Sequence, residues 1–247
     1  MSAAEVPAAN ARQPHAVLDV ESRRLKAIKI ERLLGLRAPS RPLRLLEVGT
    51  GSGGIAHYFA THAELRIEVD AVDVVDNRLE RDGFRFALVT DVALPFADGA
   101  FDIVITNHVI EHVGDRDAQL RHLREVKRVL RSDGVGYLAV PNRWQLVEPH
   151  YRLAFLSWLP RRLRSPYLRA MRKGEFYDCE PFAMRELERV LDTAGLRHRN
   201  LCIEAWRATF EIEHPRAAAT RLLRRVPDAL LRPLKPVIPT LIYELRP

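Results

Sequence analysis

The stretch Leu43–Gly54, LRLLEVGTGSGG, decides the reading of this chain. Its apolar run reads as a short buried strand that ends abruptly at Val48 in a cluster of glycines. Gly49, Gly51 and Gly54 stand at the spacing GxGxxG. A chain that turns tightly after a strand and lets a ligand lie against its backbone needs residues without a Cβ, so the turn reads as a cradle for a nucleotide-like ligand. Glu47 sits just inside that turn. A carboxylate there repels a pyrophosphate and suits a cationic group.

Working outward, Ile55–His62 starts a helix, and strand patterns recur at Ile67–Val72, Phe84–Val89, Phe101–Thr106 and Val135–Val140, with a strong helical pattern over Asp117–Leu130. Strands alternating with helices predict a parallel sheet covered on both faces. Upstream, Leu18–Leu36 reads as an amphipathic helix, and residues 1–17 as a disordered lead-in. Beyond Pro141 the rhythm breaks. Residues 143–180 are rich in Arg, Pro, Trp and Tyr and too long for an ordinary connection, which predicts a structured insertion or lid. Glu180–Ala194 reads as a helix closed by Gly195, Leu196–Ala205 as a sixth strand, 207–236 as a basic helical insertion and Pro239–Leu245 as the last strand, all within one domain over 18–247.

Composition narrows the class. The chain has 247 residues, 47% hydrophobic and 29% charged, which suits one large folded domain. No apolar run approaches the roughly 20 residues of a membrane span, and the N-terminus lacks the pattern of a secretory signal, so a cytoplasmic location is expected. Cys179 and Cys202 form no metal-type pair or CxxC and read as bland thiols. The net charge of +7 is unevenly placed: 143–180 and 205–247 each carry eight basic and four acidic side chains, and the rest is nearly balanced. That placement suggests an acidic acceptor or partner.

Besides Glu47, two more acids lie where strands end. Asp73, in AVDVVD, follows Gly49 by 24 residues, where a carboxylate can accept hydrogen bonds from ribose hydroxyls. Asp70 and Asp76 compete for that role, although Asp76 reads as the N-cap of a following helix. Asp91 follows the third strand and can accept from an adenine amino group, with Val92 offering its backbone.

Taken together, EVGTGSGG, AVD, TDVALPFADGAFDIVITNHVIEHV, LRHLREVKRVLRSDG and GYLAVPN resemble the class I S-adenosylmethionine-dependent methyltransferase family in its small-molecule branch. The likeness is close over Leu43–Asn142 and looser over Pro181–Trp206. It implies a Rossmann-like, doubly wound, seven-stranded sheet with the last strand antiparallel and, here, a helical insertion after strand five. It also implies S-adenosylmethionine as methyl donor, held at Glu47, Gly49, Gly51, Asp73, Asp91, Val92 and Asn107, with Glu47 facing its cationic amino-acid end. Methyl transfer is an in-line displacement that relies mainly on alignment, so no universal catalytic residue is implied.

Two histidine motifs remain. His108, Glu111 and His112 form HxxEH, similar to the ExxEH that ligates metal in ubiquinone-biosynthesis O-methyltransferases and small-RNA 2′-O-methyltransferases, but His108 replaces the first Glu; no metal is expected, and His112 is a candidate catalytic residue. VEPHYRLAFLSWLP, with Glu148, His150, Tyr151 and Trp158, resembles segments of methyltransferases acting on bacterial glycans or lipid-linked substrates. It makes His150 the candidate base beneath a lid whose Arg152, Arg161, Arg162, Arg164, Arg169 and Arg172 would meet an acidic acceptor.

The sequence thus predicts O-methylation of a glycan, glycolipid or other small acceptor. A nicotinamide-dependent oxidoreductase shares the glycine signature, but Glu47 argues against it; a non-catalytic scaffold would have no need of the donor-site acids. No nucleic-acid module is apparent. Basic and apolar residues alternating over Arg216–Lys235 read as an amphipathic helix able to lie on the inner face of a membrane, or packed on the sheet edge.

Overall fold

The computed structural model describes residues 19–247, so the expected lead-in over 1–17 and the start of the first helix at Leu18 lie outside the described residues. Helix α1 (Val20–Leu34) begins where Asp19 caps the Ser22 N–H at 3.2 Å and ends at Gly35, whose φ of 62° is the left-handed turn a Cβ resists. Strand β1 (Leu43–Val48) then leads through the glycine turn into α2 (Gly54–Ala60), followed by β2 (Ile67–Asp73), β3 (Arg85–Leu88) and β4 (Phe101–Asn107).

No helix forms between β2 and β3, contrary to the reading of Asp76 as a helix cap. Its carboxylate instead accepts from Arg78, backbone and guanidinium, and from Arg81. Asp70 is also removed from any ligand role: on β2 it is buried and ion-paired with Arg85 at 2.7 Å and Arg44 at 3.3 Å.

Helix α3 (Arg116–Val129) and β5 (Leu130–Pro141) complete the first half, followed by the 143–180 segment with α4 (Arg161–Ala170), then α5 (Met184–Thr193). Strand β6 is shorter than expected, Arg197–Asn200. From Cys202 the chain is helical, as α6 (Cys202–Glu213), because Asn200 Oδ1 accepts the Cys202 N–H and the apolar Ile203, Ala205 and Ala208 recur on one buried face. The basic segment is likewise no single helix. Helix α7 (Ala218–Arg225) stops before Pro227, a short turn Asp228–Leu231 and a 3-10 stretch Arg232–Val237 follow, and β7 (Thr240–Arg246) closes the chain.

The seven strands align in the order β3-β2-β1-β4-β5-β7-β6, with β7 antiparallel to both its neighbours and β1 to β5 parallel. Two cores cover the two faces. One packs Ala27, Ile30, Ile55, Phe59 and Ala205 of α1, α2 and α6 against the sheet, the other Leu123, Val126, Leu187 and Leu191 of α3 and α5. A third, small core of Tyr151, Leu153, Leu156, Leu168, Tyr177 and Cys179 lies within the 143–180 segment. No helix among the described residues is long and apolar enough to cross a membrane. The reversal of strand order between β1 and β4 places the crevice for a ligand at the carboxyl ends of β1, β2 and β4.

Candidate active site

At that crevice the glycine turn is held from below by Glu47. The carboxylate is fully buried; Oε2 accepts from Thr50 Oγ1 at 2.7 Å and from the Ala56 N–H at 3.0 Å, which ties β1 to the first turn of α2. Burial pushes its pKa up to about 8, against the opposing pull of Thr50 and the nearby Arg23 charge. Gly49 has φ of 73° and passes so close to Val109 that an added Cβ would lie 2.3 Å from its Cγ2. Gly51 donates its N–H to Asp73 Oδ2 at 2.8 Å, and Asp73 Oδ1 accepts from Val74 N–H at 2.7 Å, so Asp73 stands directly across the turn at the end of β2. Asp91 is exposed and its Oδ1 accepts the Val92 N–H at 2.7 Å, so the Val92 contact available to a ligand is its carbonyl or its side chain rather than its N–H.

Helix α1 adds two residues that sequence reasoning missed. Arg23 is buried over the turn, its Cβ 2.8 Å from where a Cβ on Gly54 would stand. One helical turn on, burial and the neighbouring Arg23 and Lys29 charges pull the pKa of Lys26 down to about 8. The pair Arg23 and Lys26 at i, i+3 was visible in the sequence, but only the packing of α1 on the loop gives it meaning.

Buried polar atoms without hydrogen-bond partners gather here. Ser52 Oγ in the turn, Asn107 Nδ2 at the end of β4 and Glu111 Oε2 just beyond it are three of them. Buried polar groups are rarely left unmatched, so Ser52 Oγ in the turn and Asn107 Nδ2 at the carboxyl end of β4 point to a polar ligand in this crevice.

Just beyond β4, His108 adopts φ of 59° and places Nδ1 3.3 Å from Glu111 Oε1, while the 3-10 turn Ile110–His112 sets His112 Nε2 4.0 Å from the same oxygen. Burial raises the Glu111 pKa, but the hydrogen bond from His108 and the charges of both histidines outweigh it and the net shift is downward. The insertion meets this turn directly. The Glu180 N–H donates to Glu111 O at 2.9 Å, and Gln119 Nε2 donates to the carbonyls of Ile110 and Glu180, both at 3.0 Å. That stitching sets Cys179 Sγ 3.7 Å from His112 Nδ1 and 3.8 Å from His150 Nδ1.

His150 arrives from the tip of a two-stranded ribbon, Val147–Glu148 paired with Leu153–Ala154. Its ring packs edge-on against His112, with centroids 5.1 Å apart. Glu148, almost wholly buried, fixes it: Oε1 lies 2.6 Å from His150 Nδ1 and Oε2 accepts the Tyr151 N–H at 2.8 Å. Burial depresses the His150 pKa, yet Glu148 together with the Glu111 and Asp178 charges reverses this to a net rise. Burial and the Asp178 charge push the Cys179 thiol far up, keeping it protonated. Donor atoms of His112, His150 and Cys179 lie within 4.8 Å of one another, and His112 bridges two groups, its Nδ1 toward Cys179 and its Nε2 4.0 Å from Glu111 Oε1.

Two expectations about the insertion change. Arg164 is buried, donates to the carbonyls of Leu159 at 2.9 Å and Ser157 at 3.3 Å, and stacks toward Tyr177, so it holds the insertion together and is not available to an acceptor. Of the aromatic residues, Tyr151 and Tyr177 build the small core, while Trp144, Phe155 and Trp158 are exposed.

Comparison with known proteins agrees with this geometry. Residues 46–138 match the family described as "Methyltransferase domain". The ubiquinone biosynthesis O-methyltransferase of Parvibaculum lavamentivorans is 28% identical over 179 residues, 66% of this chain and 62% of that protein. An uncharacterized methyltransferase of Bacillus subtilis is 35% identical over 98 residues, 37% of this chain and 38% of that protein. The chain thus spans between about two fifths and three fifths of the length of these curated relatives. A S-adenosylmethionine-dependent methyltransferase of Aquifex aeolicus shares the fold with a TM-score of 0.50 at 18% identity, covering 74% of this chain and 86% of that one. The strand order and the glycine turn are those of the Rossmann-like methyltransferase fold, and over residues 46–138 the chain is similar to the methyltransferase domain family.

Proposed function

We propose that the protein transfers a methyl group from S-adenosylmethionine to a hydroxyl oxygen of a small acceptor, a glycan or a lipid-linked sugar or ring being the class its basic insertion suits. The observation that carries the oxygen reading is the Glu148–His150 pair at 2.6 Å, set against His112 beyond the end of β4.

The residues present fit the donor. Gly49 leaves room that a Cβ would fill, Asp73 stands where ribose hydroxyls can donate to it, and the unpartnered Asn107 Nδ2 and Ser52 Oγ supply polar contacts. Glu47 is an acid that burial keeps near neutral until a cation such as an ammonium arrives, and Arg23 and Lys26 suit a carboxylate. An oxidoreductase would place a pyrophosphate at this turn, against Glu47. When bound, the donor supplies a sulfonium-activated methyl carbon.

The chain's own part is alignment and removal of one proton. As the acceptor oxygen forms its bond to the methyl carbon and the carbon–sulfur bond breaks, the hydroxyl proton must leave. Glu148 holds the proton on His150 Nδ1, which leaves Nε2 as the acceptor of that proton. The rest of the rate comes from holding the reacting atoms collinear, to which the ordered insertion contributes by excluding water.

Asp73→Ala tests the donor half: losing the charge-assisted bonds should weaken S-adenosylmethionine binding by about 2 to 3 kcal/mol in calorimetry. Unchanged affinity would sink the assignment. Comparison of metabolites and envelope glycolipids, with and without the gene, by mass spectrometry identifies the acceptor.

A further inference from the structure

We propose that the insertion and the turn before β7 together form a docking face for an anionic lipid bilayer, with Trp144, Phe155 and Trp158 seated among the head groups. Trp144, Leu146, Val147, Phe155 and Trp158 leave between 40% and 63% of their surfaces exposed. They are neighbours: the Trp158 ring meets Trp144 edge-on at 5.6 Å and Phe155 at 5.1 Å, and the Phe155 N–H donates to Leu146 O at 2.8 Å. Soluble monomers rarely leave such a contiguous apolar patch uncovered.

The patch is rigidly built. Trp158 Nε1 donates to Gln145 O at 2.8 Å, which orients the ring without burying it. Phe155 holds φ of 57°, a conformation costly for a bulky residue, and its ring nevertheless remains at the surface.

Asn142 joins this patch to the C-terminal segment. Its Nδ2 donates to Pro236 O at 2.7 Å and Ile238 O at 2.8 Å, and its Oδ1 accepts the Trp144 N–H at 3.0 Å. The turn that carries exposed Val237 is thus tied to the start of the insertion. The two stretches that hold the chain's excess positive charge, remote in sequence, meet at this edge, and exposed Arg161 and Arg162 follow directly after the Trp158-Leu159-Pro160 turn.

An indole-rich apolar patch bordered by arginines matches the boundary between acyl chains and anionic head groups. Single-stranded nucleic acid would instead want aromatic faces open for stacking, whereas these rings pack edge to face. The ribbon that carries the patch also carries His150, so a lipid-borne acceptor would reach the base from the bilayer side; that corollary rests on the proposed methyl transfer, and the docking does not.

The test uses the full chain with neither donor nor acceptor, so its failure leaves the methyl-transfer reading untouched. Vesicles of phosphatidylcholine alone and of phosphatidylcholine with phosphatidylglycerol are sedimented with the protein. The bound fraction should rise about tenfold or more with phosphatidylglycerol and fall with salt. Tryptophan emission should shift to the blue and be quenched by brominated phosphatidylcholine, since two of the chain's three tryptophans lie in the patch. Phe155→Ser and Leu146→Ser should each weaken binding several-fold, with circular dichroism and an unchanged thermal unfolding transition showing that the variants remain folded, and the pair Arg161→Glu and Arg162→Glu should remove the preference for phosphatidylglycerol. Equal sedimentation on both vesicles, bound protein with unshifted and unquenched emission, or single-stranded RNA displacing the protein from vesicles would each overturn the proposal.

Discussion

Glu47 and His150 are both ionisable groups displaced from their ordinary pKa by position, and each gives a measurable consequence. With a pKa of about 8, Glu47 is mostly protonated at pH 7; an arriving ammonium favours the ionised form, so donor binding at pH 7 should release close to one proton. Calorimetry in buffers of different ionisation enthalpy measures it, and Glu47→Gln should bind without that release. For His150 the net rise means that the neutral, proton-accepting form dominates only above the usual histidine range, so the rate should climb with pH through that raised value. Glu148→Gln removes the main support for the charged form and should shift the rising limb to lower pH while lowering kcat, because the tautomer is no longer fixed. His150→Ala should lower kcat about 100-fold or more with donor affinity near wild type. A loss of donor affinity in its place would assign the ribbon to the donor.

At the scale of elements, α3 carries a titratable group inside the core. His122 is buried on the face of α3 toward the sheet, its Nε2 3.0 Å from Thr106 Oγ1, and burial lowers its pKa to about 4. The folded state therefore resists a proton that the unfolded chain takes up below about pH 6.5, so stability falls as pH drops through that window and levels off near pH 4. Between pH 6.5 and 5 the loss should be about 2 kcal/mol by denaturant titration, and His122→Gln should remove that part of the pH dependence. The insertion is an element with a core of its own. Leu168→Ala should empty part of it at a cost of about 2 to 5 kcal/mol and lower acceptor turnover, while donor binding, which belongs to the main sheet, changes little. The elements were unequally legible. Strand β1 lies at the expected Leu43–Val48, because a short apolar run ending in glycines allows little else. The stretch after Asn200 reads as a continuation of the sixth strand, and packing against α1 and the sheet decided for helix.

For the whole molecule, donor binding should couple to folding through the contacts that α1, β1, β2 and β4 make around one crevice. Saturation at about 100 times Kd stabilises by about 2.7 kcal/mol, which for a domain of this size raises Tm by roughly 5 to 10 °C. A thermal-shift measurement with S-adenosylmethionine against NAD checks this, and a shift with NAD alone would return the chain to the oxidoreductases.

The sequence by itself determined the sheet, the glycine turn after β1 and the placing of acids at the ends of strands, because each depends on chemistry within a few residues: a glycine at positive φ, an acid after an apolar strand, an amphipathic period. The acceptor side was beyond its reach. His112, His150 and Cys179 come from a turn, a ribbon tip and a chain returning to α5, and nothing local in HxxEH or VEPHY says that they meet. Likewise Arg164 reads as a surface cation until its guanidinium is seen bonded to carbonyls, and nothing local says that Asn142 ties the turn at 236–238 to the start of the insertion. Those relations are set by side-chain packing and hydrogen bonds between segments far apart in the chain, which only the tertiary structure decides.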